Sequence, residues 1–599
     1  MRYKRRKEFN KINFSENDLV NRILNKRDIK NISETDYSIS NLLPYEDMAD
    51  IKKAASIIAD NIINKGKIVI VGDYDCDGAT STAISKKGLL LLGAKDENVT
   101  FMVPDRFKLG YGLTPKIVDL IKVGDPNLII TVDNGISSID GAEAVKKLKK
   151  CKLIITDHHL SPNEIPDADA VVDPNRRDCK FKSKNLAGCG VIFYVLLAVR
   201  DELYERGYYK KTGRKPPLGE LLDLVALGTV ADVVKLDYNN RILVHNGLER
   251  IRRGYVSPGL AELLISSNVD IEKVKSSDFG FKVGPKINAA GRLKDMSIGI
   301  RCLLTDDYGE ARRLSNILSD LNMVRKRMQS NMSYDAISNL GKIESMKRKG
   351  VCIYNKDYHE GIVGLIAGRI KEDYHRPAVV FADVQDQPEL IKGSGRSVPN
   401  VRLRDVFEEI DRKHGIILKF GGHDMAAGLT IKKSDFDSFS DVFNDEVSKI
   451  LKRIDVVVEH DGPLMMNEFN LLTATHLETM GPWGQGFPEP VFSNTFIIRG
   501  VRSVGERENH LKLDVSLVDP KTKEIGNGVF TAMSFAHFDN PDNKKFKVGQ
   551  MFQSVYSTSV NEYNDKKSLQ IIVRDMVDYD EYVAKNEKNI IKEDMSLGL

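Results

Sequence analysis

The chain has 599 residues, 41% of them hydrophobic, enough to build several packed cores and, at ordinary domain size, about four domains. Its 89 Lys and Arg are nearly balanced by 85 Asp and Glu, and the net charge of +4 excludes a histone-like or strongly acidic protein and makes any nucleic-acid surface local. No run reaches the ~18 apolar residues of a membrane span and the start, Met1 to Glu8, is basic, so no signal peptide, no membrane association and a cytoplasmic location are expected.

Residues 1–45 are polar and irregular, ending in Asn41-Leu42-Leu43-Pro44, and read as a helical extension packed on the first domain, with its basic start a solvated end. From 46 to 66, Ile51, Ala54, Ala55, Ile58 and Ile62 keep helical spacing, and Lys67 to Gly72 reads as a fully buried strand. Helical stretches and apolar strands then alternate, with strands at Asn127 to Val132, Lys152 to Thr156 and Ala170 to Val172. This rhythm predicts an α/β domain with a parallel sheet over 46–304. Ligands in such a sheet sit at the carboxyl ends of the strands, and Asp73, Asp133, Asp157 and Asp173 each fall just past an apolar strand.

Residues 305–349 are charged and helix-prone, without a strong turn signal before Gly341, and predict a long connecting helix. A second α/β domain follows over 350–452, with strands at Val351 to Tyr354 and Pro377 to Phe381, a helix from His359 to Asp373, and Gly-rich turns at Gly393 to Arg396 and Gly421 to His423. Over 453–580 the texture changes to short β runs, at Val456 to Val458, Thr495 to Arg499, His510 to Leu517, Gly528 to Ser534, Gln553 to Ser559 and Leu569 to Val573. Five or six strands in that length predict a small barrel of oligonucleotide-binding type, with a β-sandwich as the alternative. Residues 581–599 read as a polar tail with an apolar tip, a frayed terminus or a partner-docking peptide.

Asp75 and Asp77 stand two apart on a turn after a buried strand, with Gly78 easing the turn into the next helix. Alone, such a pair is an ordinary solvated turn. Asp133 at the end of another buried strand changes the reading, because one carboxylate can bridge two metal ions about 3.5 to 4 Å apart. His158 and His159, adjacent on a strand-ending loop, face different sides, so one can bind metal while the other faces a phosphate. Asp232, after an apolar helix, adds a further hard ligand. Carboxylates with one imidazole and no thiolate suit Mn²⁺ or Mg²⁺ better than structural Zn²⁺. The six cysteines (76, 151, 179, 189, 302 and 352) lack Cys-x-x-Cys spacing and predict reduced thiols.

The set Asp73 to Gly78, Val132 to Gly135, Asp157 to His159, Val172 to Asn175 and Gly228 to Val233 resembles the DHH phosphoesterases, and among them the RecJ family of single-strand exonucleases. Gly284 to Leu293 resembles that family's signature at the end of its catalytic core, Tyr358 to Gly364, Gly393 to Ser397 and Phe420 to Gly428 resemble its DHH-associated domain, and Gly481 to Phe492 resembles the lead-in to its barrel. The resemblance covers about 50 to 580 in order. It implies two divalent cations: Asp75 serving one, Asp77, His158 and Asp232 the other, Asp133 both, with Asp73 assisting the first. His159 would contact the scissile phosphate, while Asp157 and Asp173 orient the histidines and Asn288 lends support. Arg292, Ser394 and Arg396 match positions that hold a 5′-terminal phosphate, a Gly-flanked Ser and Arg being a compact anion seat, and His423 would line the same cleft.

The implied activity is 5′ to 3′ hydrolysis of single-stranded DNA to 5′-mononucleotides, in repair, recombination or replication, by one chain that follows a helicase and a single-strand-binding protein. Two other readings stand beside it. A short-oligonucleotide or small-molecule phosphodiesterase would lack residues 457–580, and an inactive replication scaffold would have lost the carboxylates. Cys76, Lys286, Tyr358 and Lys235 depart from the family pattern, where Ala, Arg, Trp and Pro are common, and none is a predicted ligand.

Overall fold

The computed structural model describes residues 2–9, 11–105, 110–345, 348–385, 387–452, 457–505, 507–539, 545–564 and 566–585. The chain divides into two compact units, one of residues 37–455 and one formed by residues 1–36 with 456–599.

The chain opens with strand β1 (Arg2–Arg5), in the second of these units. The larger unit begins its sheet with β2 (Ile68–Gly72), followed by β3 (Val99–Met102), β4 (Leu128–Val132), β5 (Lys152–Thr156) and β6 (Ala170–Val172). All neighbours pair in parallel, in the order β3-β2-β4-β5-β6. The strands are continuous apolar runs because both faces are covered: Ile129, Leu153, Ile155 and Val171 pack with Ile117, Val118 and Val145 from flanking helices. Strand order reverses between β2 and β4, and at such a switch point the loops part and leave a crevice at the carboxyl edge. Asp73 and Asp133 are the first residues past these two strands.

A 38-residue helix (Tyr308–Ser345) leads to a second sheet. It contains β7 (Val351–Tyr354), β8 (Ala378–Val384), β9 (Gln387–Arg396), β10 (Ile417–Gly422) and β11 (Ala426–Lys432), in the order β10-β11-β9-β8-β7. Only β7 and β8 run parallel, joined through helix Val363–Tyr374, and the other pairs are antiparallel. Phe381, Phe407, Phe439 and Phe443 form the centre of its core.

The expected turns at 393–396 and 421–423 are corrected here. Gly393 to Arg396 is the end of β9, and Gly421 and Gly422 end β10. The glycines serve packing: a Cβ on Gly393 would lie 2.6 Å from Cε1 of Phe381, and one on Gly395 would lie 3.0 Å from Cδ1 of Leu403. Alternation along β9 then puts Lys392, Ser394 and Arg396 together on the opposite face.

In the smaller unit, β12 (Val457–His460) pairs in parallel with β1, and β13 (Phe492–Val504), β14 (His510–Val518), β15 (Phe530–Ser534), β16 (Met551–Tyr563) and β17 (Lys566–Asp578) close a barrel in the order β13-β14-β15-β17-β16. Closure excludes the sandwich, and of the run expected at 456–458, Val457 and Val458 lie in β12 outside the barrel, while 456 lies outside the described residues. Residues 586–599, including the apolar tip of the tail, lie outside the described residues.

The reading of residues 1–45 as an extension of the first domain holds for 37–45, where the Leu43 amide donates to Asn239 and Tyr45 to Asp201, and is corrected for the residues before them, which belong to the barrel unit. Leu19 and Ile23, on helix Asp18–Leu24, enter the barrel core beside Phe496, Phe552 and Tyr556. The basic start is a paired strand rather than a solvated end. Its anchor is Asp461, 2% exposed, which accepts from Arg6 Nη1 at 2.8 Å, Arg27 Nη2 at 3.1 Å and the Val491 amide at 2.9 Å. Burial pushes this carboxyl up, but Arg27 and Arg6 hold it below the ordinary carboxylate range.

Asp461→Ala strands the Arg27 guanidinium without its counter-charge, and should destabilise the barrel unit by about 3 to 5 kcal/mol. Urea unfolding followed through the single Trp, Trp483, which packs against the barrel core, should move to lower denaturant. An unchanged midpoint would show that the pair is not what fastens the N-terminal segment.

Candidate metal centre

Each carboxylate of the centre is delivered by a defined backbone element. Asp75 caps helix Cys76–Leu91, its Oδ1 accepting the Gly78 amide at 3.0 Å, and Asp77 lies in the first turn of that helix. Asp77 is gripped by a second helix, Gly188–Glu205, whose first two amides donate to it, Gly188 N to Oδ2 at 2.6 Å and Cys189 N to Oδ1 at 3.0 Å. Asp133 follows β4 with a positive φ of 62°, a conformation Asp tolerates better than most residues. Asp232 caps the end of helix Leu222–Ala231. Cys76 N donates to Asn288 Oδ1 at 2.8 Å, which ties the Asp75–Asp77 turn to helix Gly284–Leu293.

These side chains converge. Oxygens of Asp73, Asp75 and Asp133 lie within 4.8 Å of one another, as do donor atoms of Asp77, His158 and Asp232, and of Asp133, His158 and His159. His158 Nε2 stands 3.0 Å from Asp133 Oδ1, 3.5 Å from Asp232 Oδ2 and 4.0 Å from Asp77 Oδ2. Both His158 Nε2 and Asp133 Oδ1 are buried without a hydrogen-bond partner, so the centre contains donor atoms that the protein itself leaves unsatisfied. Burial first, and then the neighbouring carboxylates, raise the acid groups of Asp73, Asp75, Asp133 and Asp232 above their ordinary range. Burial lowers the proton affinity of His158, as a ligand imidazole requires. This donor set fits hard divalent cations.

The histidine loop is fixed from beneath. Asp157 Oδ1 accepts the amides of His158 and His159, at 2.7 and 3.1 Å, and meets His159 Nδ1 at 2.7 Å, while Oδ2 accepts the Ile136 amide at 2.9 Å. Burial disfavours charge on His159, but its bond to Asp157 pushes its pKa up to about 9. The same bond, against burial, holds Asp157 low. Asp173 acts at one remove: it accepts the Asn175 amide at 2.6 Å, and Asn175 Nδ2 donates to the His158 carbonyl at 2.6 Å.

Next to the carboxylates lies a cavity of about 280 Å³, lined among others by Tyr74, Asp75, Arg292, Lys392, Ser394 and Arg396. Arg396 Nη1 donates to Ser394 Oγ at 3.1 Å and to the Gly395 carbonyl at 2.8 Å, neutral partners that leave its charge uncompensated. Arg292 Nη1 donates to the Gly361 carbonyl at 3.0 Å. Gly364 keeps the cavity open, since a Cβ there would lie 2.9 Å from Ser394 Oγ and 3.1 Å from Arg396 Nη2. His423 does not line this cavity: its ring stacks on that of His159, 6.1 Å between centroids.

Sequence reasoning misses several groups here. The Gly188 and Cys189 amides are invisible as motif residues, although a Gly-Cys-Gly start to an apolar helix is a signal for close backbone approach. Lys392 is hidden by the turn reading of 393–396. Tyr111, edge-on to His159 at 6.2 Å, is a further aromatic neighbour of the histidine loop.

Comparison with known proteins agrees with this division of the chain. The DHH family N-terminal domain matches residues 67–229, the DHHA1 domain 347–449 and the RecJ OB domain 460–575. The chain is similar to the single-stranded-DNA-specific exonuclease RecJ of Escherichia coli strain K12, 43% identical over 93% of this chain and 95% of that one, and to that of Salmonella typhimurium, 42% identical over the same shares. The structure of RecJ in complex with Mn²⁺ from Thermus thermophilus matches with a TM-score of 0.75 at 25% identity, covering 93% of this chain and 75% of that one.

The tightness of the centre can be tested at Gly188, where a Cβ would lie 2.6 Å from Cβ and 2.8 Å from Oδ1 of Asp133. Gly188→Ala should therefore weaken Mn²⁺ binding about tenfold or more in calorimetry of the unreacted protein, and unaltered affinity would refute the close fit. A second test concerns pH. The raised carboxyls bind protons in the folded state that the unfolded chain has released above about pH 4, so their contribution to stability is present at low pH and lost as pH rises through their folded values. Asp173, pushed by burial up to about 8, and His159, held by Asp157 at about 9, act in the same sense, while His158 and His423, both lowered by burial, act in the opposite one. With chelator present, the thermal midpoint should fall between about pH 5 and 8, and Mn²⁺ should restore it most at the upper end.

Proposed function

The chain belongs to the RecJ family of the DHH phosphoesterases, and from that premise we propose that it is a metal-dependent 5′ to 3′ exonuclease that hydrolyses single-stranded DNA to 5′-mononucleotides. The observation that carries the reading is the adjacency, in one cleft, of a carboxylate and imidazole cluster and a cationic seat, with Tyr74 and Asp75 on the wall between them. Asp73, Asp75 and Asp133 would hold one Mn²⁺ or Mg²⁺ ion, Asp77, His158 and Asp232 a second, and Asp133 would touch both. When bound, the two ions lower the pKa of water and offset charge on the scissile phosphate.

The protein's own residues supply position and protons. Arg396, Ser394, Lys392 and Arg292 would receive the 5′-terminal phosphate, with Arg396 the strongest element because its nearest partners are neutral oxygens. His159, kept charged by Asp157, would donate a hydrogen bond to the scissile phosphate or to the departing 3′-oxygen. Asn288 and the amides of Gly188 and Cys189 hold the ligand turn while charge redistributes. An internal phosphate cannot enter a seat built for a chain end, which would make the enzyme an exonuclease.

The proposal divides the labour along the chain. Residues 46–304 carry the chemistry and Arg292 of the seat, 350–452 the rest of the seat, and 453–580 the grip on the incoming strand, with stacking on the barrel contributing about 1 to 3 kcal/mol per base. A helicase and a single-strand-binding protein would supply the substrate, and a single chain in the cytoplasm would suffice. Among the described residues no helix is long and apolar enough to cross a membrane.

With Mn²⁺ present, a 3′-labelled single strand should shorten from its unlabelled 5′ end, while duplex DNA persists. Asp133→Ala should abolish turnover and retain DNA binding; undiminished turnover would remove the mechanism. Arg396→Ala should lose about tenfold to a hundredfold in kcat/KM on 5′-phosphorylated strands and much less on 5′-hydroxyl strands, whereas equal losses would refute the seat.

A further inference from the structure

Helix Gly284–Leu293 runs along the whole active centre. At its start, Gly284 lies against Ala231, the residue before Asp232, with a Cβ on the glycine 3.2 Å from that of Ala231. In its middle, Asn288 accepts the Cys76 amide, and near its end Gly291 abuts the Tyr74 carbonyl while Arg292 reaches the cavity of the seat. At 1.5 Å per residue the helix spans about 12 Å from Gly284 to Arg292. It is therefore a ruler with the seat at one end, the ligand turn between, and the Asp232 side at the other.

The segment just before that far end is a π-helical turn, Phe279–Val283, a geometry that concentrates at functional sites. Phe279 is buried, yet Phe281 is 84% exposed. A single exposed apolar residue is ordinary, but a second observation stands on the adjoining segment. Val233, directly after Asp232, is 63% exposed and has a φ of +61°, a strained conformation for a β-branched residue. The two exposed residues stand on segments that meet just before Asp232, where a Cβ on Gly280 would lie 3.8 Å from Val230 Cγ1, with Lys235 exposed two residues past Val233 and Lys282 paired to Asp278 at 2.8 Å.

We propose that Phe281 is a nucleobase-stacking subsite for the part of the substrate strand 3′ to the scissile phosphate. The inference rests on the exonuclease reading above. A strand anchored by its 5′ phosphate beside Arg292 passes the carboxylates and continues toward Phe281. In a stacked strand advancing about 3.4 Å per nucleotide, the roughly 12 Å from Arg292 to Gly284 already takes about three to four nucleotides, so the ring meets a base beyond the second and a dinucleotide does not reach it. Every base offers a π face, so the contact favours no sequence, and it is available only to an unpaired strand. Val233 would provide an apolar step beneath the same base.

The test compares wild-type protein, Phe281→Ala and Phe281→Trp on a 5′-phosphorylated dinucleotide and on a longer single strand, with Mn²⁺. Phe281→Ala should raise KM for the longer strand about tenfold, the low end of one stacked base, with kcat little changed, and Phe281→Trp should restore it. Dinucleotide hydrolysis should be the same in all three proteins. Fluorescence anisotropy of the longer strand in chelator should show the same loss of affinity in Phe281→Ala. Equal KM and equal affinity for all three proteins overturn the subsite, as does an equal loss on the dinucleotide, which would mark a general structural effect. If wild-type protein degrades neither substrate, the exonuclease reading itself fails, and the anisotropy comparison still decides the subsite.

Discussion

Like charges buried together set the terms for the larger unit. Asp73, Asp75, Asp77, Asp133 and Asp232 converge at one carboxyl edge, and their mutual repulsion in a water-poor crevice is relieved only by protons, by directed amides or by cations. The fold uses amides where a carboxylate must stay fixed. Asp77 receives two from the start of a helix, and Asp157 receives three from its own loop and from Ile136. Asp133 Oδ1 receives none, and this is the atom closest to His158 Nε2. What the backbone leaves unsatisfied is what a bound cation would complete in the proposed reading.

This demand reaches outward into packing. Where a helix passes this close to the site no side chain fits: a Cβ on Gly188 would lie 2.8 Å from Asp133 Oδ1, one on Gly228 2.9 Å from Asp77 Oδ1, and one on Gly291 1.9 Å from the Tyr74 carbonyl. Glycine is destabilising inside a helix by roughly 0.5 to 1 kcal/mol relative to Ala, and these helices carry it where the metal loop passes. The buried helices behind, with Val191, Val195, Val225 and Leu227 sequestered, offset that weakness with apolar contact.

Much of this is legible in the sequence because parallel sheets write their sites plainly. Asp73, Asp133, Asp157 and Asp173 each follow a continuous apolar run, and the rule that ligands gather at strand ends needs no further information. The second sheet is harder. Gly393 and Gly395 look like turn residues, and only the Phe381 ring and the Leu403 side chain explain them as flat positions in a strand. Residues 2–36 escape sequence reading for a different reason: their partners, β12, Asp461 and the barrel core, lie more than four hundred residues away, and no local pattern encodes a pairing at that separation. Asp173 shows a finer limit, since spacing places it near the histidines but not the intervening Asn175.

The cleft of the larger unit also has an electrical polarity that links its two ends. Arg396 is half-buried with neutral partners, and partial desolvation lowers its affinity for its own charge, while the carboxylates nearby disfavour ionising together. Either end alone disfavours its own charged state. Cations on the carboxylates and a phosphate on the proposed seat would satisfy both at once, and a strand anchored there by its end would bring its next phosphate toward the proposed metal ligands. On the proposed reading, cation binding and end recognition would be coupled through shared electrostatics, without any conformational change being required. A ligand lacking the terminal phosphate would leave Arg396 uncompensated and forfeit that coupling, even where every carboxylate holds its ion.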